Sequence, residues 1–243
     1  MKHKTISVLF AIASCILIIT CAVAVPIYCR PFYFWHIEAL QLENSGYSAA
    51  QIKEAYNQIL DYLTLPGGTF QAGDFPFTAS GAAHFADCKV LFTLNAVLLV
   101  CAAVFVITML LLKKHNRIQT LYIGPFHASF YAAVTCLVLI GLVAILASMD
   151  FYAAFVTFHS IFFPGKENWI LNYRTDPIIN VMPQDFFMHC AMLIGTCIVV
   201  SSLAIILWQT KEKKKQKKNT TIRKAEPVCV AQNCIPILLF YLL

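Results

Sequence analysis

Two histidines stand where this chain can do chemistry. His84 lies in the segment F-T-A-S-G-A-A-H-F-A-D-C-K, at the start of a long apolar stretch, and His159 lies in F-H-S-I-F-F-P-G, just after another ends. A neutral imidazole accepts a proton near neutral pH, and a ring N–H can stabilise a developing negative charge. Ionisable groups at a membrane boundary are costly to bury and usually have a task. Asp87 follows His84 by three residues, so on a helix the two share a face, and a carboxylate there can fix the imidazole tautomer. Cys88 and Lys89 come next, and Ser80 is placed to cap the helix. Behind His159 come Phe162, Phe163, Pro164, Gly165, Asn168 and Trp169, then Arg174-Thr175-Asp176-Pro177, then Pro183 before Phe186 and Phe187. Aromatics at a membrane surface form an anchoring belt, which accounts for most of these. A greasy rim with a few convergent polar groups is also what a lipid-substrate pocket needs.

Membrane spans must position these groups. Apolar residues make up 59% of the chain and charged ones 12%, far from the balance of a soluble domain. Four stretches, roughly 6–28, 89–112, 126–149 and 186–209, are long enough to cross about 30 Å of hydrocarbon, which takes ~20 helical residues. Lys2, Lys4, Lys113, Lys114, Arg117 and the run from Lys211 to Lys224 fall on one side, 13 of 18 basic residues with two of the 12 acids. By the positive-inside rule that side is cytoplasmic. The sequence therefore predicts an all-α integral membrane protein with four transmembrane helices. Both termini are cytoplasmic, and two extracytoplasmic loops, 30–88 and 150–185, form a small cap holding His84 and His159. Residues 1–210 make the membrane domain and 211–243 a basic cytoplasmic tail. The net charge of +6 sits on that face and suits anionic lipid, not nucleic acid. Ala22-Val23-Ala24 also resembles a signal-peptide cleavage site, but the apolar run continues through Pro26-Ile27-Tyr28, so the first span is read as a retained anchor.

In the first loop Ser48-Ala-Ala-Gln51 reads as a capping box. Ile52, Tyr56, Ile59, Leu60 and Leu63 then fall on one helical face, and Leu65-Pro66-Gly67-Gly68 ends the helix. Such a helix lies on the bilayer, caps the bundle or forms a lid over a lipid site. The ten cysteines do not form a disulfide framework. Six lie within spans and act as small apolar residues. Cys29 and Cys88 are near the outer ends of two spans and are candidates for one disulfide. Cys229 and Cys234 have no zinc-site spacing, and the final run 235–243 is too short to span. His36, His127 and His189 are not comparable to the pair, and His127 and His189 read as packing or snorkelling residues.

The pattern His84-Phe-Ala-Asp87-Cys-Lys89 resembles one motif of a family of four-span membrane proteins of Gram-positive bacteria. Phe158-His159, Phe162-Phe163, Trp169, Thr175-Asp176-Pro177, Ile179 and Pro183 resemble its second, and Tyr56 to Leu63 also fits. This is the family of the lipoprotein intramolecular transacylase, and the resemblance covers about residues 5–210. The segment Ala79-Ser80-Gly81-Ala82-Ala83 departs from it, because charged residues often stand there in the family. The resemblance implies a cell-membrane enzyme that acts on bacterial lipoproteins with a diacylglyceryl-modified N-terminal cysteine, amid membrane lipid and without a cofactor. An ester-linked chain moves to the α-amino group, giving the lyso form. His84 and His159 match the two histidines of that chemistry. Asp87, Lys89, Trp169, Arg174 and Asp176 are then supporting or substrate-binding residues.

The physics allows this reaction. An α-amino group has a pKa of about 7.7–8, within reach of a histidine base. A second histidine can stabilise the tetrahedral oxyanion. No serine nucleophile is needed when amine and ester share one molecule, and no G-x-S-x-G elbow is present. Other classes stay open. One is a metal-dependent membrane hydrolase with His84, Asp87 and His159 as ligands. Another is a cysteine acyltransferase using His84 with Cys88. A third is a non-catalytic four-span scaffold or transporter subunit.

Overall fold

The computed structural model describes residues 2–118 and 121–233. Four of its helices are long and apolar enough to cross a membrane: α1 (Lys2–Tyr28), α4 (Ala79–Lys114), α5 (Ala128–Met149) and α8 (Gln184–Asn233). The shorter helices are α2 (Arg30–Ala39), α3 (Ala49–Thr64), α6 (Phe151–Phe162) and α7 (Ile178–Val181). Helix α1 packs against all three other spans. Small residues let the backbones approach at the bundle centre. Ala22 and Cys136 are buried there with Ile18 and Ile198, and the sulfurs of Cys15 and Cys136 lie 3.3 Å apart.

The two ends of the bundle differ. At one end Phe10, Val106, Leu121 and Ala128 form a buried cluster. It is joined by a small hairpin, β1 (Tyr122–Ile123) paired antiparallel with β2 (Phe126–His127). The hairpin departs from the all-α expectation. Gly124, at φ +57°, supplies the positive dihedral that a tight hairpin turn requires. His127 caps α5, its Nδ1 2.8 Å from the Ser129 hydroxyl. Lys113 and Lys114 end α4 here, and Lys213 of α8 lies 4.0 Å from the Phe126 ring centroid. Helix α8 does not stop at residue 210. It runs on through the lysine-rich segment to Asn233, because Lys, Glu and Gln are good helix formers. Residues 234–243, with Cys234 and the last apolar run, lie outside the described residues.

The opposite end carries the cap. The α3 helix has both halves of the Ser48–Gln51 capping box and ends at Thr64, before Pro66, Gly67 and Gly68. Its apolar face is buried against protein, so it caps the bundle: Ile52, Tyr56, Ile59, Leu60 and Leu63 pack with Tyr33, Phe75, Phe85, Ile178, Val181 and Phe186. The Tyr33 and Tyr56 rings stack at 3.7 Å, and the Tyr33 hydroxyl donates to the Val181 carbonyl at 2.6 Å. Arg30 pairs with Asp61. His36 and His189 are not isolated packing residues: His36 Nε2 lies 2.9 Å from His189 Nδ1 and ties α2 to α8. Cys29 and Cys88 are both free, so the candidate disulfide is absent.

Candidate active site

Helix α4 has 36 residues, about 54 Å at 1.5 Å per residue, far more than the bilayer core requires. Its first turns therefore stand within the cap, ten residues ahead of where the apolar run begins, and His84 is on them. Thr78, not Ser80, is the N-cap, and its hydroxyl accepts from the Gly81 N–H at 3.0 Å. Buried Asp176 holds that cap from across the fold. Its Oδ1 accepts from the Thr78 N–H at 2.8 Å and from the Thr78 hydroxyl at 3.0 Å, and its Oδ2 from the Thr175 hydroxyl. Gly81 makes this approach feasible, since a Cβ there would overlap the Asp176 carboxylate. Asp176 is thus a clamp joining the 175–177 turn to α4.

The apolar run ahead of His159 is broken by Asp150. Its side chain accepts from the Ala153 N–H at 3.0 Å and starts α6 as a helix separate from α5. His159 lies in the last turn of α6. Its Nδ1 is 2.8 Å from the Phe155 carbonyl oxygen. A carbonyl only accepts, so Nδ1 carries the hydrogen and Nε2 presents the lone pair. Trp169 stacks on this ring at 4.6 Å, with its Nε1 donating to the Lys166 carbonyl. Burial holds the His159 pKa below its ordinary value, and the bond to Phe155 partly opposes that.

The fold brings the two histidines together. Their ring centroids are 5.9 Å apart, both residues are less than a tenth exposed, and Phe163 lies against both rings. Two positive charges at that separation repel by roughly 3 kcal/mol at an effective dielectric of about 20, so the pair does not carry two protons. Among the described residues, the only side chain in hydrogen-bonding contact with His84 is Cys88, whose Sγ is 3.5 Å from Nε2.

Several expected roles are corrected. Asp87 does not hold His84. Lys166 Nζ donates to its Oδ1 and Asn168 Nδ2 donates to its Oδ2 at 2.9 Å, which ties α4 to the loop beyond His159. Lys89 donates to the Gly67 carbonyl at 2.6 Å and lies over the Tyr62 ring, pinning the loop after α3. Arg174 is exposed and packs on Tyr173. Among the described residues no three His, Cys, Asp or Glu are grouped to hold a metal ion. His84, Asp87 and His159 are not such a group, and Lys166 and Asn168 hold the Asp87 carboxylate. Thr78, Gly81 and Asn168 stood in the segments singled out by the sequence, but no role was read for them. The first two had a weak signal in the helix-capping residue types, and Asn168 had none.

Comparison with known proteins gives the family and the fold. The family model described as lipoprotein intramolecular transacylase Lit matches residues 8–187. The in meso structure of the membrane integral lipoprotein intramolecular transacylase Lit from Bacillus cereus superposes with a TM-score of 0.78. That alignment has 20% identity and covers 89% of this chain and 98% of that one. A variant of the same Bacillus cereus protein with a histidine replaced by arginine gives a TM-score of 0.71 at 18% identity, covering 88% and 95%. The corresponding alanine variant gives 0.70 at 20%, covering 88% and 96%. No curated protein matches.

Proposed function

The chain belongs to the lipoprotein intramolecular transacylase family, and from that premise we propose that His84 and His159 carry the acyl transfer. The protein is a multi-pass membrane transacylase acting on lipoproteins. In the reaction we assign, the substrate is a lipoprotein whose N-terminal cysteine bears a diacylglyceryl group and a free α-amine. The amine nitrogen attacks the carbonyl carbon of one glyceryl ester. A C–N bond forms, the C–O bond to glycerol breaks, and one proton passes from nitrogen to the glyceryl oxygen. No acyl group, water or cofactor is consumed.

His159 is the base in this reading. The observation that carries it is the bond to Phe155, which fixes the tautomer with Nε2 unprotonated, while burial keeps the ring neutral. His84 is the oxyanion donor, because its ring has no oxygen partner among the described residues and lies 5.9 Å from the His159 ring within a buried site. The aromatic rim of Phe158, Phe163 and Trp169 excludes water and favours the lipid chains. The position of the site, at the end of the bundle opposite the lysine-rich segments, supports an extracytoplasmic face of the cell membrane by the positive-inside rule. The test is mass spectrometry of a lipoprotein N-terminal peptide treated with purified wild type, His84→Ala and His159→Ala. Wild type shifts one chain to nitrogen and neither variant does.

The 3.5 Å contact of Cys88 with His84 favours a second reading, an acyl relay through Cys88. Loss of turnover in Cys88→Ala with a trapped acyl-thioester in wild type would support it. Retained turnover in Cys88→Ala leaves direct transfer.

A further inference from the structure

Asn168 has an orphaned acceptor. Its Oδ1 is buried and has no hydrogen-bond partner among the described residues, although its Nδ2 donates to Asp87 Oδ2 at 2.9 Å. Turning the amide over would not relieve this. The Asp87 carboxylate accepts only, so the NH2 group must face it and the carbonyl must point away. A buried carbonyl without a partner is costly, and native proteins rarely keep one without a reason. The place of this one is informative. Asn168 precedes Trp169, the ring stacked on His159. Through Asp87 it is tied to the same turns of α4 that carry His84. Lys166, on the other Asp87 oxygen, holds that carboxylate in place. The orphaned oxygen therefore belongs to a braced side chain that links the two elements supplying the histidines.

We propose that Asn168 Oδ1 binds the substrate's α-amine, accepting one N–H while His159 takes the other. This inference rests on the transfer reaction assigned above and names the group that orients its nucleophile. A neutral primary amine has one lone pair and two hydrogens. If the lone pair faces the ester carbonyl carbon and one hydrogen faces His159 Nε2, the second hydrogen needs a buried acceptor. Asn168 supplies it without competing for the proton, since an amide carbonyl is too weak a base. The site then recognises a primary amine, and binding fixes the approach of nitrogen to carbon.

The test uses the full-length protein in detergent and two synthetic diacylglyceryl-cysteinyl peptides, one with a primary α-amine and one with an N-methyl amine. The secondary amine keeps the hydrogen that His159 needs and loses the one for Asn168. Wild type should prefer the primary amine by about ten- to a hundredfold in kcat/KM, the worth of a buried hydrogen bond. In Asn168→Ala the rate on the primary amine should fall by a similar factor, with much less change on the N-methyl peptide, so the preference collapses. Asn168→Gln keeps the donor to Asp87 but displaces the carbonyl by one methylene. It should lose the preference too, and it provides the reading if the alanine variant does not accumulate. Equal slowing on both peptides, which a merely structural role produces, would overturn the proposal, as would unchanged rates. Failure of wild type to N-acylate even the primary amine would instead refute the transfer reaction.

Discussion

His84 and His159 differ in what holds them, and the proposed roles rest on that difference. His159 is bonded through Nδ1 to a backbone carbonyl and stacked on Trp169, whereas among the described residues the hydrogen-bonding contact of His84 is the Cys88 thiol. Replacing either with alanine should lower turnover by about 10²–10⁴-fold while the protein still accumulates in the membrane. The double variant should be little worse than the poorer single one, because the two act on one transition state. Near-normal turnover in either single variant would remove the base-and-oxyanion scheme. A second expectation concerns pH. Burial lowers the His159 pKa, so the ring is already neutral at the ordinary histidine value of about 6.5. As pH falls, the substrate's α-amine protonates first. The acid limb of the rate profile should therefore lie near the amine pKa of about 8 and not near 6.5. The sequence singled out both histidines from residue type and membrane depth, and the fold brings their rings within 5.9 Å of each other. The Asp87 partnership was misread because i, i+3 spacing places two residues on one face without saying what else reaches that face. Lys166, 79 residues away, does.

At the scale of elements, local signals were readable and distant ones were not. The α3 capping box, its apolar period and its Pro-Gly-Gly end lie within one short segment, and the helix forms where they place it. The clamp between Asp176 and Thr78 spans 98 residues, and nothing in either segment announces it. The break between α5 and α6 had a local cause in Asp150, hidden by the apolar residues on both sides. The clamp makes a prediction. Asp176→Ala leaves the Thr78 N–H without its acceptor and should destabilise the cap by about 1–3 kcal/mol. Gly81→Ala should act in the same direction by displacing the carboxylate. Thermal unfolding in detergent checks both, and unchanged midpoints would show that the clamp does not hold the cap. Lys89→Ala and Arg174→Ala should alter turnover little, since neither side chain touches the histidines.

The whole molecule is polar end to end. The lysine-rich continuation of α8 and the basic end of α4 lie at one end of the bundle, and the cap with both histidines at the other. Charge segregation along the chain was legible because it is a count over segments and needs no contacts. Its expected consequence is a cap outside the cell. A single reporter cysteine in residues 66–74 of a cysteine-free variant should react with an impermeant thiol reagent in intact cells. Labelling only after lysis would reverse the orientation. The most direct test of the central claim is the product itself. A diacylglyceryl lipopeptide with a free α-amine, incubated with the purified protein, should keep its total mass while fragmentation moves one acyl chain from the glyceryl side to the amide. The N-acetylated peptide should not react. Loss of one chain as free fatty acid, or equal reaction of the blocked peptide, would contradict intramolecular transfer.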